Sequence, residues 1–144
     1  RLLKDKVRDN FYTIDGATLA DGRYVVRISA SDAPDNPPGQ ALSGERLSEP
    51  VDIDNTPPVI RSQAGSASRV VFEAVDATGK IKRADVSIDG APWNPVFPDD
   101  GIADSGTERY AIEVPALGPG EHTISLRVFD GSGNVGTASV SMRR

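Results

Sequence analysis

Two short groups of acidic side chains could supply the oxygen atoms that bind calcium. The first group is Asp99, Asp100 and Asp104, and the second is Asp52, Asp54 and Asn55. Calcium prefers several carboxylate and carbonyl oxygens gathered in a short loop, but neither group has the spacing of an EF-hand. Asp and Asn beside glycines or prolines also form turns by bonding to their own backbone. We favour that turn role, and we expect a fold that needs no metal and no cofactor.

Two aromatic side chains could stack on a sugar ring. Trp93 is the only tryptophan of the chain, and Phe97 follows it by four residues. The alternative is that Trp93 packs against the edge of the fold, which so large an apolar surface normally does. We favour the packing role and keep carbohydrate binding as the competing interpretation.

An enzyme is the third class of function, and the sequence argues against it. His122 is the only histidine, and a catalytic role would require a nucleophile and an orienting acid beside it. The chain has no cysteine, and it contains no Gly-x-Ser-x-Gly, P-loop or dinucleotide-binding glycine pattern. We therefore expect a protein that is not an enzyme.

The amino-acid composition limits the classes of partner and the kinds of structure that the chain can have. The 144 residues carry a formal net charge of −5, and no lysine or arginine cluster interrupts this balance, so we expect no nucleic acid partner. No apolar run approaches the roughly 20 residues of a membrane-spanning helix. The lack of cysteine excludes a disulfide framework.

In the segments that must position these side chains, apolar and polar residues alternate with a period of two. Along residues 24–30, the set Tyr24, Val26, Ile28 and Ala30 lies on one face, as in a half-buried antiparallel strand. Short strands punctuated by Gly and Asp predict an all-β fold, a seven-stranded antiparallel sandwich of the immunoglobulin or fibronectin type III kind. The predicted strands A to G cover 58–62, 69–76, 82–89, 93–97, 108–114, 121–129 and 135–142.

The same pattern predicts the core of this sandwich. The inward positions are Val59 or Ile60, Val70, Phe72, Ala74, Ala84, Val86, Ile88, Ile112, Val114, Leu117, Ile124, Leu126, Val128, Val140 and Met142. Phe72, on strand B, is the largest of them.

A tandem repeat divides the chain. Residues 12–36 align with 110–134 without a gap, from Tyr12 against Tyr110 to Asn36 against Asn134. Because only 11 residues precede Tyr12, we expect residues 1–54 to hold only strands E, F and G of a truncated first copy, over 10–15, 23–31 and 47–53. A proline linker over 55–58 and a complete sandwich over 59–144 follow.

The repeated segments carry the motif Leu-x-x-Gly-x-[Tyr/His]-x-[Val/Ile]-x-[Ile/Leu]-x-[Ala/Val]-x-Asp-x-x-x-Asn, at 19–36 and 117–134. With Ser87-Ile-Asp-Gly90, this motif resembles bacterial exported immunoglobulin-like and fibronectin type III-like repeats. The resemblance implies an extracellular or periplasmic module of a larger protein, acting as a spacer, stalk or docking surface with a protein or glycan partner. The alternative it implies is a carbohydrate- or calcium-binding accessory module of a secreted enzyme or β-propeller protein.

The truncated copy also predicts an association. Strands E, F and G would present an apolar face with no strands A to D to cover it, and three such strands are not expected to stand alone in water. The two prolines of the linker are stiff, which makes folding back onto the same chain awkward. We therefore expect a homodimer of this chain through the uncovered face.

Overall fold

The structure, a computed structural model, describes residues 1–63 and 68–144. It divides into two compact units, Arg1–Ile53 and Asp54–Arg144. Apart from two short 3₁₀ turns, the regular structure of these residues consists of antiparallel strands, so the predicted all-β fold class is confirmed. No helix within these ranges is long and apolar enough to cross a membrane.

The first unit is a short, irregular ribbon. Its strands are β1 (Gly22–Tyr24), β2 (Arg27–Ser31), β3 (Ser43–Leu47) and β4 (Val51–Ile53). Strand β1 pairs with β4, and β2 pairs with β3. Between the two ladders, Val26 N–H donates to the Ser48 hydroxyl and Ser48 N–H donates to the Val26 carbonyl. The predicted strand over 23–31 is therefore two short strands with a break between them.

The second unit is a sandwich of two sheets. Its strands are β5 (Val59–Gln63), β6 (Arg69–Val75), β7 (Ile81–Ile88), β8 (Asn94–Val96), β9 (Thr107–Glu113), β10 (Glu121–Asp130) and β11 (Val135–Arg143). One sheet has the order β5-β6-β9, and the other has the order β11-β10-β7-β8. Alternating side chains of both sheets meet in one hydrophobic core.

The buried residues of the core cluster match the predicted inward set, except for two that the prediction missed. Phe72 and the other predicted positions on β6, β7, β9 and β10 are buried or packed against the core. At the start of the sandwich Ile60 packs inward, whereas Val59 is 58% exposed. The prediction missed Ile81 and Tyr110, although both are fully buried. Ile81 was missed because it directly precedes the predicted start of its strand.

Residues 10–15 form no strand, which corrects the sequence-based expectation. Tyr110, the repeat partner of Tyr12, lies on β9 and is paired with Phe72 of β6. The described residues ahead of Tyr12 form no strand that could take the place of β6. A segment without a pairing partner gains no ladder hydrogen bonds, and Tyr12 is 50% exposed.

A close backbone approach holds the start of the sandwich against its last strand. Pro58, which precedes β5, is buried beside Gly136 of β11. A Cβ atom on Gly136 would lie 2.9 Å from the Pro58 carbonyl carbon and closer still to its oxygen. Only glycine fits here, so the segment leading into β5 is packed directly on the sandwich.

Candidate metal centre

Three aspartates meet at one end of the sandwich and form what we call the aspartate cluster: Asp54, Asp76 and Asp130. Asp54 begins the second unit, Asp76 directly follows β6, and Asp130 ends β10. One carboxylate oxygen of each lies within 4.8 Å of those of the other two. Asp76 is 6% exposed, Asp130 is 3% exposed and Asp54 is half-buried.

Asp130 closes the turn between β10 and β11. Its Oδ1 accepts hydrogen bonds from the backbone N–H groups of Ser132 and Asn134, both at 2.8 Å. Its Oδ2 accepts from the Asn134 side-chain amide at 2.7 Å, and that amide also donates to the backbone carbonyl of Asp54 at 3.0 Å. One turn therefore positions two members of the aspartate cluster.

Asp76 closes the turn between β6 and β7 with only one of its oxygens. Its Oδ1 accepts from the backbone N–H groups of Thr78 at 2.9 Å and Gly79 at 2.8 Å. Its Oδ2 is buried and has no hydrogen-bond partner among the described residues. A buried polar atom in this state is costly, because it has lost water and gained nothing in return.

Asp54 repeats this arrangement. Its Oδ1 accepts from the Thr78 hydroxyl at 2.6 Å and from the Thr56 backbone N–H at 3.1 Å. Its Oδ2 is buried and also lacks a partner within the part of the chain that the structure describes.

The two unpartnered oxygens face the same space, next to Gly79. A Cβ atom placed on Gly79 would lie 3.0 Å from Asp54 Oδ2 and 3.5 Å from Asp76 Oδ2. No lysine or arginine in residues 1–63 or 68–144 forms an ion pair with the aspartate cluster. Negative charges at this separation repel each other, and the repulsion is stronger where water is excluded.

The donor set selects the class of ion that would fit. All its ligand atoms are carboxylate oxygens, which suit hard cations such as Ca²⁺ and Mg²⁺ rather than metals that prefer sulfur or imidazole. Two oxygens bound to one calcium ion at its usual ligand distance are at most about 5 Å apart. The spacing of the aspartate cluster satisfies that limit.

Of the acidic residues considered from the sequence, only Asp54 belongs to this cluster. Asp99 forms an ion pair with Arg109, and Asp100 accepts from its own loop at Ile102 N–H. Asp104 donates its backbone N–H to Glu108. In the described ranges, these three carboxylates join no group of three neighbouring acidic side chains.

Asp52 has a different partner. The Arg23 guanidinium donates two hydrogen bonds to the Asp52 carboxylate, at 2.8 and 3.0 Å. These bonds lower the pKa of Asp52. The two positions that sequence reasoning left out of its calcium candidates are Asp76 and Asp130. In the sequence Asp130 stands out only as the aspartate of the repeated motif, and the sequence around Asp76 carries no metal signal of its own.

Trp93 and Phe97 have different surroundings. The Arg127 guanidinium lies 4.5 Å from the centre of the Trp93 ring, and Trp93 is 39% exposed. Arg127 in turn donates to the buried carboxylate of Asp85 at 2.9 Å. Phe97 follows β8 and is 74% exposed. The stack with Arg127 supports a packing role for Trp93, while Phe97 presents an open ring.

His122 lies in the middle of a hydrogen-bond network that links the start of β10 to the end of β7. Its Nδ1 lies 2.7 Å from Asp89 Oδ2, and its Nε2 lies 2.8 Å from the Gly118 carbonyl oxygen. The hydrogen bond to Asp89, followed by the bond to Gly118, raises the pKa of His122. Asp89 also accepts from the Thr123 backbone N–H at 2.8 Å, so this pair connects neighbouring strands.

Comparison with known proteins gives a likeness of structure and none of sequence family. No protein family model matches the chain, and no curated protein matches it. The chain is similar to a solved structure of the fibronectin(III)-like modules of Clostridium thermocellum CbhA, with 19% sequence identity and a TM-score of 0.44. The match covers 87% of this chain and 63% of that structure.

Proposed function

We propose that this chain is a non-catalytic structural or interaction module of a larger exported bacterial protein, acting as a spacer, stalk or docking surface. One observation carries the proposal. The segment that leads into the sandwich is bonded to it by Asn134 and Thr78 and is packed on Gly136. This arrangement suits a structural module, because it holds the leading segment on the sandwich itself.

The buried charges of the second unit support the same proposal. Asp85 accepts hydrogen bonds from Arg83 at 2.7 Å and from Arg127 at 2.9 Å. Glu108 accepts from two backbone N–H groups of the loop before β9, those of Asp104 and Ser105. These carboxylates hold strands and turns in place, which is a structural role. The extracellular or periplasmic location rests on the repeat motif alone.

Carbohydrate binding is the competing function, and Phe97 is the residue that it would use. With Trp93 stacked against Arg127, the ring most open to a sugar is Phe97. A glycan array probed with the labelled 144-residue chain separates the two functions. We expect no saturable binding. Saturable binding that Phe97→Ala weakens would replace the structural proposal with a carbohydrate-binding one.

Hydrogen exchange tests the observation on which the proposal depends. Asn134→Ala removes the amide that holds the Asp54 carbonyl, so the amide of Thr56 should exchange faster. Asn36→Ala is the matched control, because Asn36 occupies the equivalent repeat position and its side-chain amide donates to the Asp32 carbonyl within the first unit. Equal exchange at Thr56 in both variants would contradict a leading segment held by Asn134.

A further inference from the structure

We propose that the aspartate cluster is a calcium site, with Asp54, Asp76 and Asp130 as its protein ligands. This inference goes beyond the structural role proposed above. It also differs from the expectation of a metal-independent fold. That expectation was formed without Asp76 and Asp130, which come from turns that the sequence pattern does not connect with Asp54.

The unpartnered oxygens are the observation that points to a ligand. Asp76 is more than nine-tenths buried, and its Oδ2 is aimed at the space beside Gly79 with no partner in the described part of the chain. Asp54 Oδ2 is aimed at the same space. Turn formation accounts for the other oxygen of each residue and leaves these two without a role. A cation between them would satisfy both and would offset the repulsion.

The hydrogen bonds of the cluster leave lone pairs for an ion. A carboxylate offers about four acceptor positions. Asp130 uses three of them, for the N–H groups of Ser132 and Asn134 and for the Asn134 side-chain amide. Asp54 and Asp76 each keep a whole oxygen free. The protein thus provides three carboxylate ligands, and water would complete the coordination.

Calcium fits better than magnesium because the turns have already fixed the carboxylates. Calcium accepts six to eight oxygens in a flexible geometry, whereas magnesium demands a near-ideal octahedron and gives up its water reluctantly. Asp54, Asp76 and Asp130 are each held by backbone or side-chain hydrogen bonds that limit their adjustment. Such a site favours the ion with the looser geometric requirement.

The substitution Asp76→Asn gives a sharp test because it predicts opposite effects with and without calcium. The asparagine Oδ1 can keep the bonds from Thr78 and Gly79, while its amide replaces the unpartnered oxygen and can donate toward Asp54. Without calcium, the repulsion between the side chains of the cluster is weaker in Asp76→Asn than in the parent. The calcium-free variant should therefore melt at the same temperature as the calcium-free parent or higher. Its response to calcium should disappear. Asp100→Asn is the control, since Asp100 is an exposed loop aspartate outside the cluster.

Calorimetric titration of the chelator-treated 144-residue chain with CaCl₂, together with thermal melting, is the experiment. We expect saturable binding of one ion and a rise of several degrees in the melting temperature, reversed by chelator. Asp76→Asn should lose both effects, and Asp100→Asn should keep both. The proposal is overturned if millimolar calcium gives neither heat nor a melting shift, or if Asp76→Asn responds like the parent. A response to MgCl₂ with none to CaCl₂ would overturn the assignment to calcium.

Discussion

Replacing Gly136 by alanine would drive a methyl group into the backbone of Pro58. The added Cβ would lie 2.9 Å from the Pro58 carbonyl carbon, which is closer than two non-bonded carbon atoms can approach without a clash. The obstacle is a buried backbone carbonyl, which cannot rotate away as a flexible side chain could. Gly136 lies within the extended strand β11, so alanine suits its backbone and the clash is the whole effect.

The magnitude follows from the cost of overpacking. Added atoms in a well-packed region cost about 1–3 kcal/mol, with larger values where the surroundings cannot move. We expect about 3 kcal/mol, because either the leading segment must leave its place or β11 must shift against β10. For a domain of this size each kcal/mol lowers the melting temperature by about 4–8 °C. The variant should therefore melt roughly 12 °C or more below the parent.

Urea unfolding followed by tryptophan fluorescence measures this cost. Trp93 is the only tryptophan and lies in the second unit, so the signal reports on the sandwich. Gly118→Ala is the matched control, since a Cβ atom there meets nothing within 4 Å. The control should be neutral or stabilising by up to about 1 kcal/mol. If Gly136→Ala cost no more than Gly118→Ala, the close approach of Pro58 to β11 would be wrong.

Three further predictions concern the core, the histidine network and the first unit. Phe72→Ala should cost about 3–5 kcal/mol in the same assay, because Phe72 is fully buried; a loss under about 0.5 kcal/mol would refute the register of β6. The folded protein raises the pKa of His122 above its ordinary value of 6.5, so its contribution is complete below that pH and is lost as the pH rises through the raised pKa. Melting from pH 6 to 9 should show this decline, and His122→Gln should flatten it; identical profiles would exclude the network as the cause. Light scattering should give twice 15.2 kDa, since apolar side chains of the first unit such as Ile28 and Leu47 are more than 60% exposed; a monomer would refute the dimer.

The sequence by itself determined which faces of the strands turn inward. The alternation through Val70, Phe72 and Ala74 placed these side chains in the core without any knowledge of the sheet order, because side chains alternate faces along every strand. The punctuation by Gly and Asp likewise marked where strands end. Both signals are local, and the structure of the second unit agrees with both.

The same local signals misjudged residues whose state depends on a pairing partner. Tyr12 and Tyr110 occupy equivalent positions of the repeat, yet Tyr110 is fully buried and Tyr12 is half exposed. Tyr110 has β6 beside it, and the first unit has no described counterpart of that strand. Whether such a segment becomes a strand is decided by its neighbour, which periodicity does not reveal.

Only the tertiary structure brought the aspartate cluster together. Asp54, Asp76 and Asp130 lie far apart in sequence, in a leading segment and two separate turns, and one oxygen of each accepts a hydrogen bond from its own local backbone. Strand β6 lies in one sheet and β10 in the other, and the packing of the two sheets brings these turns to one end of the sandwich. Carboxylates interact through distance and burial, and both quantities are properties of the folded chain rather than of its sequence spacing.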